Sequence, residues 1–86
     1  MLRFRPSAFE HGVTEEQIQE VLANKWGMTK WYEVHDDADG YSQDIALGFD
    51  AEGHPIEVGI TYIQEDEVVF HASKMTAHMQ DKYNEE

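Results

Sequence analysis

Three side chains near the C-terminal end of the chain are of the types that transfer protons. His71 precedes a segment with helical spacing, in which Lys74 and His78 would lie one turn apart. Two imidazoles and an ammonium group could serve as general acid and base and stabilise the negative charge of a phosphorane. Two solvent-facing histidines and a solvated lysine would have the same spacing, so both interpretations stay open.

His11 is a fourth candidate, because it precedes Gly12 and the start of a predicted helix. Helix N-termini attract anions, and a histidine placed there could donate a proton to one. The alternative is a turn residue that hydrogen-bonds near the helix cap.

The sequence argues against a metal site. The acidic turn at residues 36–40 resembles a calcium loop, but counting from His35 the twelfth position is Ala46, where such a loop needs a bidentate Glu. His71 and His78 have no recognised zinc-ligand spacing, and the chain has no cysteine. We therefore predict no metal and no cofactor.

The distribution of charge limits the choice of partner. The net charge is −12, and residues 31–73 hold eleven Asp and Glu but no Lys or Arg. The six basic residues lie outside that span: Arg3, Arg5, Lys25, Lys30, Lys74 and Lys82. A protein that binds nucleic acid normally has a basic footprint, and here the middle of the chain would repel a polyanion. Either the surface is simply soluble and self-repelling, or an acidic face binds a basic partner.

Aromatic side chains cluster where the charge pattern changes. Four of them lie close together in the sequence with two lysines: Trp26, Trp31, Tyr32 and Tyr41, beside Lys25 and Lys30. Aromatics that bind single-stranded nucleic acid are interleaved with more basic residues than this. We expect these rings to pack the first helix on the sheet or to form part of a protein interface.

The elements that must position these side chains begin with one well-marked helix. Thr14 is a good N-cap, and Gln17 three residues later completes a capping box. Val13 and Ile18 occupy the positions of a hydrophobic staple. The pattern predicts a helix over residues 15–24.

The rest of the chain predicts strands and a second helix. Residues 1–9 form a short extended lead-in. High β propensity predicts a strand at 31–35, alternating patterns predict strands at 44–49 and 55–63, and a last strand is predicted at 68–71. An apolar stripe predicts a helix over 73–83. The predicted fold is a single α+β domain, residues 1–86. It has an N-terminal helix, a three- to four-stranded antiparallel sheet and a C-terminal helix, with the helices on one sheet face. No apolar run suggests a membrane span or a signal peptide, so we expect a cytoplasmic protein with no membrane partner.

Three segments of this pattern resemble BrnT-like toxins of type II toxin–antitoxin systems, which have a RelE-like fold. Residues 10–14 resemble the family's Lys-His-Gly-Val-Ser opening of its first helix, and residues 45–58 resemble its central hairpin with a loop glycine. Residues 69–74 resemble its closing strand-to-helix junction, and His-Ala at 71–72 is closer to a shorter, actinobacterial-type variant. The resemblance spans about residues 8–86.

The resemblance implies a metal-independent ribonuclease that inhibits translation and is neutralised by a small cognate antitoxin. In that role His71 would be acid or base and Lys74 would stabilise phosphate, with His78 and His11 in support. The family's tail is rich in arginine, whereas this chain has Ser73 near where an arginine is usual.

A basic pocket could compensate if the lead-in strand lies beside the last helix and brings together Arg3, Arg5, Lys74 and Lys82. The alternative is a non-catalytic acidic module on the same fold that binds a basic protein or mimics nucleic acid. The sequence leaves open whether the chain forms a homo-oligomer.

Overall fold

The fold is taken from a computed structural model that describes residues 1–24, 27–36 and 41–85; the side chains of residues 35, 36 and 41 are not described. Within these residues, five strands and two helices follow in chain order: β1 (Leu2–Phe4), a 3₁₀ turn (Pro6–Phe9), α1 (Glu15–Leu22), β2 (Lys30–Asp36), β3 (Tyr41–Phe49), β4 (Pro55–Ile63), β5 (Asp66–Lys74) and α2 (Ala77–Asn84).

The strands form one mixed sheet in the order β1-β5-β4-β3-β2. Strands β2 to β5 make an antiparallel meander, and β1 adds to β5 in parallel, with Leu2 opposite Glu67 and Phe4 opposite Val69. The α+β class is confirmed. The predicted three- to four-stranded antiparallel sheet is confirmed only for β2 to β5, because the lead-in adds a fifth strand that pairs in parallel with a partner far along the chain.

Helix α1 begins as its capping box predicts. The Thr14 hydroxyl accepts a hydrogen bond from the backbone N–H of Gln17, and the Gln17 side chain accepts one from the backbone N–H of Thr14. The helix ends at Leu22, two residues earlier than predicted, and Asn24 has a left-handed φ of 52° that cannot continue an α-helix.

The main core lies between α1 and one face of the sheet. Ile18 and Val21 of α1 are fully buried there. They share a hydrophobic cluster with alternate residues of the three central strands: Ala46, Ile56, Val58, Ile60, Val69 and Ala72. Leu2 and Phe4 of β1 pack against this cluster from the edge of the sheet.

Helix α2 contacts the opposite face through Tyr83. The Lys30 ammonium donates to the carbonyl of Tyr83 at 2.6 Å, and the Tyr83 and Phe49 rings meet edge to face at 5.5 Å. Lys30 lies opposite Leu47 on β3, so both side chains are on the face that α2 contacts. The neighbouring residue on β3, Ala46, belongs to the core on the α1 face. Because side chains alternate along a strand, α1 and α2 lie on different faces, and the prediction that both helices cover one face was wrong.

The boundary between β5 and α2 also differs from the prediction. Ser73 and Lys74 continue β5, where they pair with Glu57 and Ile56, and α2 begins after its N-cap Thr76. Pairing with β4 therefore outweighs the helical spacing of this segment. No helix of the described residues is long and apolar enough to cross a membrane.

Candidate functional site

The structure brings His11 and His71 together. Their ring centroids lie 5.4 Å apart with the ring planes at 66°, an edge-to-face arrangement. The His71 side chain is 36% exposed, and His11 is exposed as well. Both imidazoles are therefore open to a molecule arriving from solvent, as acid and base groups must be.

His11 reaches this position because the segment before it is anchored on β5. The Ser7 hydroxyl donates a hydrogen bond to the carbonyl of Phe70 at 2.6 Å, and the backbone N–H of Arg5 donates to the carbonyl of Val69. Gly12, with φ of 82°, then turns the chain away toward α1. A residue that precedes the first helix thus lies beside the last strand.

His71 is placed by a bulge in the β4–β5 pairing. Gly59 pairs with His71 and Ile60 with Val69, so Phe70 is the extra residue on β5. A β-bulge changes the direction in which the following side chains point. A Cβ at Gly59 would lie 2.9 Å from Cζ of Phe70 and 3.3 Å from Cβ of His71. The glycine therefore makes room for the Phe70 ring and for Cβ of His71.

Glu57 contacts the His71 imidazole from the neighbouring strand. Its Oε2 lies 3.4 Å from Nε2 of His71, and its Oε1 accepts a hydrogen bond from the backbone N–H of Thr76 at 2.9 Å. Glu57 is 7% exposed, and the N-terminus of α2 is a favourable place for a buried carboxylate. The carboxylate is thus fixed from one side and faces the imidazole on the other.

Ser73 helps to define the tautomer of His71. Its hydroxyl donates to the carbonyl of Lys74 at 3.0 Å and lies 3.3 Å from Nε2 of His71. Since that hydroxyl proton is already used, its oxygen accepts, and Glu57 is also an acceptor. Both neighbours favour a proton on Nε2, which leaves Nδ1 of a neutral His71 as the proton-accepting nitrogen.

Lys74 and His78 do not join this pair. Lys74 lies three positions after His71 on β5, so strand alternation places it on the opposite face. His78 is exposed in the first turn of α2. The expectation that they share a helical surface was wrong, because Lys74 belongs to a strand rather than to the helix.

The expected basic pocket does not form either. Arg3 on β1 pairs with Asp66 at 2.7 Å, whereas the Lys82 ammonium lies 4.8 Å above the Tyr32 ring on β2. β1 and β2 are the two opposite edges of the sheet. The lead-in strand lies beside β5 and not beside the last helix, so its arginines and Lys82 are far apart.

Glu57 and Ser73 were not predicted as site residues. The alternation of β4 did place Glu57 among the residues of one face, together with Gly59 and Thr61. A lone carboxylate in a strand of otherwise apolar and small residues was the available signal. The bulge that aligns it with His71 has no signature in the sequence.

Two features considered in the sequence lie outside the described residues. These are Trp26 and residues 37–40 of the calcium-like turn. Among the residues that are described, no group of three or more His, Asp or Glu is arranged to hold a metal ion.

A second polar cluster has a structural role. Asp50 is 3% exposed and accepts hydrogen bonds from the Gln17 side chain at 2.9 Å and from the backbone N–H groups of Glu52 and His54. Burial alone would raise the pKa of Asp50, but these hydrogen bonds, with a further one from the His54 ring, lower it to about 2. Asp50 thus ties the start of α1 to the β3–β4 turn.

The sequence was compared with models of known protein families and with curated proteins. Neither comparison gave a match.

Proposed function

We propose that this protein is a toxin of a type II toxin–antitoxin system, resembling BrnT-like toxins, which cleaves RNA without a metal ion. The observation that supports the proposal is the juxtaposition of His11 and His71, with Glu57 against His71. Two imidazoles side by side can supply the base and the acid that metal-independent cleavage of RNA requires.

In the proposed reaction the two histidines have different roles. Nδ1 of His71 takes the proton of a ribose 2′-OH, and the oxygen attacks the adjacent phosphorus. His11, in its protonated form, gives a proton to the 5′-oxygen as the bond from that oxygen to phosphorus breaks. The products are a 2′,3′-cyclic phosphate and a free 5′-hydroxyl. Glu57 holds the His71 ring in one tautomer and orientation, as carboxylates do for other catalytic histidines.

The net negative charge of the protein limits how tightly it can bind an RNA substrate. Phosphate neutralisation by Lys and Arg supplies most non-specific affinity for nucleic acid, and this chain has a net charge of −12. We expect weak binding of long RNA and cleavage that depends on geometry at the histidine pair. A small cognate antitoxin that covers His11 and His71 would then be sufficient to inhibit the toxin.

The test is an RNA cleavage assay with the full chain in the presence of EDTA. The expected product carries a cyclic phosphate, and His71→Ala and His11→Ala each lose at least about 100-fold in rate, the lower range for acid–base catalysis. His78→Ala removes a histidine that lies apart from the pair and should keep its activity. An equal loss in His78→Ala, or cleavage that EDTA abolishes, would contradict the proposal.

A cellular test addresses the toxin role separately. Expression of the protein should arrest growth, and co-expression with the neighbouring small open reading frame should relieve the arrest and allow both proteins to be purified together. RNA cleavage without growth arrest would retain the chemistry and remove the toxin assignment.

The charge pattern favours a second candidate, a non-catalytic acidic module that binds a basic protein. Residues 31–73 contain eleven Asp and Glu with no Lys or Arg. This function would hold if the protein shows no cleavage of any RNA while still binding a basic polypeptide.

A further inference from the structure

An unpartnered part of the sheet lies at its β2 edge. β2 pairs with β3 on one side, and no described strand pairs with its other side. Beside this edge is a concave surface of about 420 Å³, here called the β2 trough, which is lined by Trp31, Tyr32, Glu33, Asp44 and Tyr62. Trp31 is 46% exposed, a large fraction for an indole at the rim of a concave surface.

Two carboxylates face each other in the trough. Glu33 of β2 pairs directly with Asp44 of β3, so both side chains are on the same face of the sheet. Like charges directly opposite each other on neighbouring strands destabilise a sheet. The salt bridges that the structure describes involve neither residue. The fold therefore retains a repulsion that a cation from outside would relieve.

Tyr62 holds one of these carboxylates in place. Its hydroxyl donates a hydrogen bond to Oδ2 of Asp44 at 2.5 Å, and Glu67 lies opposite Tyr62 on β5. Asp44 cannot turn away from the trough without losing this bond. The negative charge of the trough thus comes from two adjacent strands, β2 and β3, and a hydrogen bond from β4 fixes one of the carboxylates.

We propose that the β2 trough binds an arginine-containing segment of a partner protein. The guanidinium lies on the exposed face of Trp31 and pairs with the carboxylates of Glu33 and Asp44. A planar guanidinium suits this site better than an ammonium, because it can stack on the indole and present two N–H groups to a carboxylate at once. Charge complementarity supports the choice, since residues 31–73 contain no Lys or Arg.

The edge of β2 that no described strand pairs with provides a place for the backbone of the partner. An extended segment can add to an exposed strand through main-chain hydrogen bonds, while alternate side chains enter pockets beside the edge. Every second residue of such a segment would face the trough. This inference does not depend on RNA cleavage, because His11 and His71 contribute nothing to the trough.

The probe is a set of three capped pentapeptides, Arg-Val-Arg-Val-Arg and its counterparts with Lys or Glu in place of Arg. Each is titrated into the full chain at low salt by calorimetry and by backbone amide NMR. The arginine peptide should bind most tightly, the lysine peptide more weakly, and the Glu peptide should not bind. Amide shifts should concentrate in β2 and β3.

Matched variants decide between a site and general charge attraction. Glu33→Gln and Trp31→Leu should each weaken binding of the arginine peptide about fivefold, the effect of one exposed charged or cation–π contact. Glu52→Gln removes the same charge from the β3–β4 turn, outside the trough, and should leave the affinity unchanged. Glu52 is exposed, as are Glu33 and Trp31, so none of these substitutions should affect folding.

Three results would overturn the proposal. These are equal weakening by Glu52→Gln, equal affinity for the arginine and lysine peptides, and amide shifts spread over the whole acidic surface. Because peptide binding and RNA cleavage are measured separately, a failure here leaves the proposed RNA cleavage untouched, and a failure of cleavage leaves this inference untouched.

Discussion

The imidazole rings of His11 and His71 meet edge to face with their centroids 5.4 Å apart, although one precedes the first helix and the other lies in the last strand. Glu57 contacts only the second of them through its side chain. The two rings therefore have different surroundings, which is what a division into base and acid requires.

The first prediction concerns how the two histidines act together. If they serve one proton-transfer step, the double variant His11→Ala/His71→Ala should lose about as much rate as the more damaging single variant, because catalytic groups that act as a unit are strongly non-additive. Single-turnover cleavage rates of the four proteins check this. Losses that multiply would mean that the two rings act independently.

Glu57→Gln provides a finer test of the same site. Its amide still accepts the hydrogen bond from Thr76 but no longer carries the charge facing His71. We expect a rate loss of about 10-fold or more with little change in substrate affinity, since the carboxylate orients His71 without touching RNA. A change confined to KM would place Glu57 in substrate binding instead.

Gly59→Ala should disturb the site from the neighbouring strand. The new Cβ would lie 2.9 Å from Cζ of Phe70, a contact that the ring must move to avoid. We expect a loss of about 1–3 kcal/mol in the free energy of unfolding, typical of overpacking. Denaturant unfolding measures it. Gly53→Ala is not a suitable control, because Gly53 has φ of 84°, a conformation that alanine adopts only with strain. Ala51→Gly, in the exposed β3–β4 turn, is the control and should change the free energy of unfolding less than Gly59→Ala does.

The helix start could be predicted from the sequence because all its determinants are local. Thr14, Gln17 and the apolar residues around them lie within one turn and form the capping box and buried face that their spacing predicts. The strands of the meander were also predicted in order, because the alternation along β3 and β4 and the high β propensity of residues 31–35 are local features of the sequence.

The contacts that build the site are not local, and for that reason they could not be predicted. The parallel pairing of β1 with β5 carries His11 to the bulge, and no pattern within residues 1–9 indicates it. Lys74 has helical spacing to His78, but its pairing with Ile56 extends β5 through it. In both places tertiary pairing decides the local structure.

The lowered pKa of Asp50 predicts how the free energy of unfolding depends on pH. Its pKa is lowered from 3.8 to about 2 in the folded protein, so its contribution is fully present above pH 3.8 and is lost as the pH falls through 2. The shift corresponds to about 2 kcal/mol. Unfolding of the wild type and of Asp50→Asn, followed from pH 6 to about 2, should show the two stabilities converging at low pH. A constant difference between them would contradict this account.

The raised pKa of Tyr62 provides a way to detect binding in the β2 trough, because the phenol titrates at alkaline pH. Burial, the hydrogen bond to Asp44 and the negative charges of Asp44 and Glu67 raise the pKa of Tyr62 to about 12, so its stabilising contribution is present below pH 10 and is lost as the pH rises through 12. Tyrosinate absorbance of the folded protein should contain a component with a pKa of about 12, that of Tyr62. Asp44→Asn removes the neighbouring charge, and the pKa of Tyr62 should then move back toward 10.

The arginine peptide should also lower the pKa of Tyr62, because a guanidinium beside Asp44 would offset the negative charge that holds the phenol neutral. If Asp44→Asn shifts the titration but the peptide does not, the carboxylate interacts with Tyr62 as described and the guanidinium does not lie beside it.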